Sequence, residues 1–123
     1  MVNADTLERY KSHLKGLQEF RLNGSFDLDH QWTDEDLYAI TPRDVCRYLK
    51  KKAYGTPDPG PGDRPIFARD EGLSYSKKAI SFFMPNSLMQ WNPQREEGNP
   101  TRSKEVNKVI ADVKLAQVRK QGK

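Results

Sequence analysis

The sequence predicts an all-α domain, a bundle of four helices, and three observations carry that expectation. Apolar residues recur at spacings of three and four in four separate stretches, the signature of helices with one buried face. Strong helix-start signals precede two of them, Thr41-Pro42 and Ser103. No segment alternates apolar and polar residues strictly, and no Asn-Gly turn links two β-rich runs.

The first helix is expected over about Asp5 to Leu22, where Leu7, Tyr10, Leu14, Leu17 and Phe20 form one stripe. Asn23-Gly24 ends it, because glycine readily takes the left-handed conformation of a C-cap. Residues 25–32 read as loop, followed by a short helical turn with Thr33 as N-cap and Asp36 at its third position. Thr41 caps the second helix, Pro42 fits its first position, and Asp44 complements the helix dipole. Ile40 and Val45 stand where a hydrophobic staple forms. Val45, Tyr48, Leu49 and Lys52–Ala53 continue the inner face.

Residues 54–63 are too rich in proline and glycine for regular structure and read as a long loop. Its glycines form no phosphate-binding loop, since no Gly-Lys-Ser/Thr follows. The third helix is expected to start near Ser74 or Ser76, to bury Ala79, Ile80, Phe83 and Met84, and to end before Pro85. Residues 86–91 add a turn that buries Leu88 and Trp91, and 92–100 form a second loop. Ser103 caps the fourth helix, with Val106, Val109, Ile110 and Val113 inward. Beyond Val118 the apolar pattern stops and fraying is expected. The domain is therefore assigned to residues 1–117, with 118–123 as a basic tail or the start of a linker.

A chain of 123 residues suits one domain. It can bury about two thirds of its unfolded surface, so no staple is required. Its apolar fraction of 35% is low but clustered, which favours folding over disorder. The single cysteine, Cys46, precludes an intramolecular disulfide and suits a reducing compartment, cytosol or nucleus. The first residues lack the apolar core of a secretory signal, and no run approaches the ~20 apolar residues of a membrane helix. An intracellular, non-membrane protein is the expectation.

The net charge of +4 conceals a strong asymmetry. Residues 1–40 hold four basic and eight acidic side chains, whereas 41–55 hold five and one, and 102–123 hold seven and two. Cations concentrated in the second and fourth helices are the footprint of a polyanion-binding face. Lysines and arginines that merely solvate exposed helix faces are the competing explanation.

The chemistry for catalysis is missing. His13, His30 and Cys46 lack metal-ligand spacing, and no metal or cofactor is expected. His13 falls on the polar side of its helix and reads as solvated. Cys46 reads as a packing residue, with no histidine nearby in sequence to activate it. Asp34, Glu35 and Asp36 dress a helix start.

Three motifs carry a resemblance. ITPRDVCRYLKKKA is a capped helix with an apolar-basic pattern. SYSKKAISFF is a serine-led helix ending in an aromatic pair, and GNPTRSKEVNKVI opens a last helix on Asn-Pro-Thr. Together they resemble the N-terminal core-binding domain of tyrosine recombinases and phage integrases, most closely the eukaryotic crypton-type relatives, over residues 4–123. The resemblance implies an orthogonal four-helix, SAM-like bundle forming one jaw of a DNA clamp, with the second and fourth helices against the major groove. The proline-rich loop at 55–62 departs from the compact bacterial pattern.

In that family catalysis resides in a separate domain bearing Arg, Lys, His-x-x-Arg and Tyr. Here His13 leads to Gly16 and His30 to Thr33, so the tyrosines lack such partners, and Tyr10 and Tyr48 read as core. The expected function is therefore to hold duplex DNA in recombination or integration, without catalysis, in the nucleus. The C-terminus falls where a linker to a catalytic domain is expected to begin, and such a domain or other protomers are the protein partners that the resemblance implies. The residues expected to meet DNA are Arg43, Arg47, Lys50, Lys51, Lys77, Thr101, Arg102, Lys104, Asn107 and Lys108. The alternatives are a helical protein-interaction adaptor whose basic face meets an acidic partner, and an enzyme with an unrecognised site.

Overall fold

The computed structural model describes residues 2–121, with side chains through Val118. Among these residues the regular structure is entirely helical: α1 Ala4–Leu22, α2 Asp34–Tyr38, α3 Pro42–Tyr54, α4 Asp70–Phe83 and α5 Lys104–Gln121. The all-α expectation holds, with four long helices and the short turn at 34–38 as a fifth.

Local chemistry starts most of them. Thr33 and Thr41 each build a full capping box. The Asp36 and Asp44 amides donate to the threonine hydroxyls, and the threonine amides donate back to the carboxylates at 2.9 Å. The Ser103 hydroxyl accepts from the Val106 amide. Ile40 and Val45 are both buried, as a staple requires.

α4 starts a turn earlier than expected, at Asp70 rather than Ser74 or Ser76. Arg69 at its N-cap gives no side-chain hydrogen bond, so the start has no capping residue to betray it. Asp70 and Glu71 favour the first turn through the helix dipole, and the Asp70 amide donates to the Gln117 side chain of α5. α5 likewise continues to Gln121, past the expected fraying point at Val118, because its backbone ladder needs no apolar partner. Gly122 and Lys123 lie outside the described residues.

α1 packs most extensively on α4 and α3 on α5, while α1 also meets α3 and α4 meets α5. Leu14, Leu17, Val45, Leu49, Leu73, Ile80, Val106 and Val113 fill the single core between them. Each fully buried leucine contributes about 2 kcal/mol, so Leu17, Leu49 and Leu73 anchor three of the four long helices. Gly16 lets α1 approach α3 closely, since a Cβ there would collide with the Tyr48 hydroxyl. Tyr10 and Tyr48 are buried, as expected of core tyrosines.

Three burial expectations fail, and at Trp91, which is only partly buried and outside the core, the departure is smallest. Leu88 is 85% exposed, because the turn after Met84 carries it outward rather than under the helices. His13 is half-buried rather than solvated. Its Nδ1 lies 2.9 Å from the hydroxyl of the buried Ser76 on α4, with the Tyr75 ring edge-on at 5.2 Å. Burial, and then the nearby Lys52 charge, lower its pKa below the ordinary histidine value.

Candidate nucleic-acid interface

The ten residues expected to meet DNA do not share one environment. On α3, Arg47 is ion-paired to Asp58 of the proline-rich loop at 2.9 Å and lies against the Phe20 ring of α1. Lys51 also sits over Phe20, and Lys50 lines a shallow cleft with Asp63 and Asp112. Arg43 is exposed near the start of α3. On α5, Lys104 is exposed, and Lys108 pairs with Asp112 one turn on at 2.8 Å, which raises its pKa.

Thr101 is a correction. It is wholly buried, and both its amide and its hydroxyl donate to Asn99 Oδ1, at 3.0 and 2.7 Å. Its two donors are thus engaged within the fold, while the residue borders the groove between α1, α4 and α5.

Asn99 is the hub that sequence reasoning passed over. Its Nδ2 donates to Ser81 Oγ at the end of α4 and to the Ser87 carbonyl, and its own amide donates to the Met89 carbonyl. Every polar atom of the side chain is thus engaged within the fold. The turn after α4 is pinned to the start of α5, a closure that Gly98 permits. Its φ is +111°, and a Cβ there would strike the Gln90 carbonyl.

This frame shapes an open groove of about 1100 Å³. Ser74, Lys77, Lys78 and Ser81 of α4 form its floor, recurring at helical spacing on the face opposite the core. α5 supplies Asn107 and Ile110 to one wall, with Arg102 just ahead of it, and α1 supplies Tyr10 to the other. Lys77 Nζ donates to Asn107 Oδ1. Burial, and then the adjacent Arg102 charge, lower the Lys77 pKa.

No aspartate or glutamate lines this groove. Among the described residues, Lys77, Lys78 and Arg102 have no carboxylate within 4.0 Å. The other basic clefts differ in this respect: Glu19 accompanies Lys51 and Lys52, and Asp29 accompanies Lys11. Sequence reasoning found Lys77, Arg102 and Asn107 but missed Lys78, Ser74, Ser81 and Phe82. The polar stripe through Ser74, Lys78 and Ser81 was the available signal.

Cys46 is buried, and burial, with the Glu105 charge, pushes its thiol up to about 11. Among the described residues no cluster of three His, Cys, Asp or Glu could hold a metal ion, and no helix is long and apolar enough to cross a membrane. No family model, curated protein or solved structure matches the chain.

Proposed function

We propose that this domain binds DNA and holds it without catalysis of its own. The observation that carries the reading is the α1–α4–α5 groove, where Lys77, Lys78 and Arg102 converge with no carboxylate among the lining residues. Like charges kept together are unfavourable unless an anion relieves them, and a chain of phosphates does so at each position. Lys104 and Arg43 are further exposed cations, and Asn107 adds a side chain able to meet base edges.

The resemblance of GNPTRSKEV and its neighbours to recombinase core-binding domains supports duplex DNA as the substrate and a SAM-like arrangement of the long helices. It also supports a role beside a separate catalytic domain in recombination or integration, in the nucleus. Titration of a labelled duplex between about 50 and 200 mM salt tests the reading. A surface making about five phosphate contacts gives a log–log slope near −4.5. A flat salt dependence, or no retention at low salt, overturns it.

A second reading rests on a separate observation. Phe82, Leu88 and Met89 are large, apolar and exposed close together in sequence, which suits an acidic, partly apolar protein segment. In that case the domain is an adaptor, and a peptide of that kind outcompetes DNA.

A further inference from the structure

We infer that the α1–α4–α5 groove receives unpaired DNA, its phosphates on Lys77 and Arg102 and its bases against Phe82 and Leu88. This rests on the DNA-binding reading and goes beyond it: the groove whose cations meet the phosphates of a duplex also takes an unpaired strand, and prefers it.

The groove has two kinds of surface. Lys77, Lys78 and Arg102 supply charge, while Phe82 and Leu88 supply apolar area that stands 48% and 85% exposed. Phe82 is held rather than loose. Its ring packs T-shaped against Tyr10 at 5.4 Å and Phe83 at 5.1 Å, which holds in place a side chain that is still about half exposed.

A duplex cannot use both surfaces. Its base faces are stacked inside, and its outside offers phosphates and base edges. An unpaired strand offers a flat apolar face beside every phosphate, and cations interleaved with aromatic platforms such as Phe82 are how single strands are held. The volume agrees: about 1100 Å³ lies just above the range of small-ligand sites, roughly 300–1000 Å³, and has room for a few nucleotides. The groove's lack of carboxylates matches a strand charged at every residue.

Fluorescence anisotropy with a labelled oligothymidine of about a dozen nucleotides, and with a duplex of equal length, tests the inference. The intact chain should bind the single strand more tightly. Phe82→Ala should weaken single-strand binding about fivefold or more, and Leu88→Ala by a smaller factor, while each changes duplex binding less than twofold. Leu88 touches little of the fold, so its variant stays folded. Thermal unfolding of Phe82→Ala separates lost stacking from lost packing with Tyr10. If both variants bind single strand and duplex as the wild type does, while Lys77→Gln with Arg102→Gln still weakens duplex binding, the inference falls and the DNA reading stands. If the intact chain binds neither nucleic acid but captures a peptide of alternating glutamate and leucine, both fall.

Discussion

In α3, Arg47 is tied to Asp58, Lys51 lies over Phe20, and the half-buried Lys52 lies over Tyr48. In the groove floored by α4, Lys77 and Arg102 stand side by side with no carboxylate among the lining residues. Yet α3 belongs to one of the most basic stretches of sequence, and α4 sits in a nearly neutral one. Charge counted along a chain is therefore a poor map of charge in space. Cations close to acidic loops or aromatic rings are spent on the fold, whereas a few cations gathered from different elements can dominate a surface.

The largest test removes two charges from each region. Lys77→Gln with Arg102→Gln should cost about tenfold or more in duplex affinity near 0.1 M salt and flatten the log–log slope by about two units. Arg47→Gln with Lys52→Gln removes the same net charge and should change affinity less than about threefold, with the slope intact. Equal losses from the two pairs break the comparison. They would mean that the overall charge, not the groove, attracts the polyanion.

The groove also depends on its frame. Asn99→Ala removes the partner of Ser81, Ser87 and Thr101 at once and leaves buried polar atoms unpaired. A loss of about 2–4 kcal/mol in urea unfolding is expected. Thr101→Val, which leaves the remaining Asn99 bonds in place, should cost less, about 1–2 kcal/mol. Comparable losses from both would show that Asn99 is not the hub.

How much of this was legible in the sequence depends on range. Helix starts with a capping residue were readable, because Thr33–Asp36, Thr41–Asp44 and Ser103–Val106 are contacts within three residues. The α4 start was not, since Arg69 offers no cap and Gly72 weakens the first turn. Apolar stripes gave the core, but not which turn stays outside it, and so Leu88 was misplaced. The ten candidate residues were chosen by sign of charge. Arg47 and Thr101 differ from the exposed candidates because Asp58 and Asn99, which bond to them, are brought there by loops that no periodicity describes. Asn99 itself reads as one more polar residue between Gly98 and Pro100.

A smaller effect probes the inner edge of α3. With its thiol pushed up to about 11 and buried against α5, Cys46 should react with an alkylating agent at pH 8 about 200-fold more slowly than an ordinary thiol. The rate should become ordinary in denaturant. Fast alkylation of the native protein would mean that α3 is not closed against α5, and its cations would then be freer than the ion pairs imply.

The smallest expected effect lies where α1, α3 and α4 meet, behind the groove. His13 is held by Ser76 and Tyr75 of α4 and faces the Lys52 ammonium of α3, and its folded pKa is depressed. The unfolded chain, with a histidine pKa of about 6.5, therefore binds the proton more readily than the folded one. Stability from this site is fully present above pH 6.5 and is lost as pH falls through 6.5 toward the folded pKa. Below that point the histidine contributes no further slope. Glu19 and Asp36, whose carboxylate pKa values are also lowered, add their own loss of stability as pH falls through the ordinary carboxylate range. Thermal unfolding between pH 7.5 and 5 should thus show a falling midpoint in the wild type. His13→Gln keeps a partner for Ser76 and should flatten that fall, while leaving duplex affinity at pH 7.5 unchanged. A variant that keeps the full slope would show that His13 is not the group responsible. If affinity moved with stability instead, the groove would be coupled to the α1–α4 contact behind it, and the two regions would not be independent.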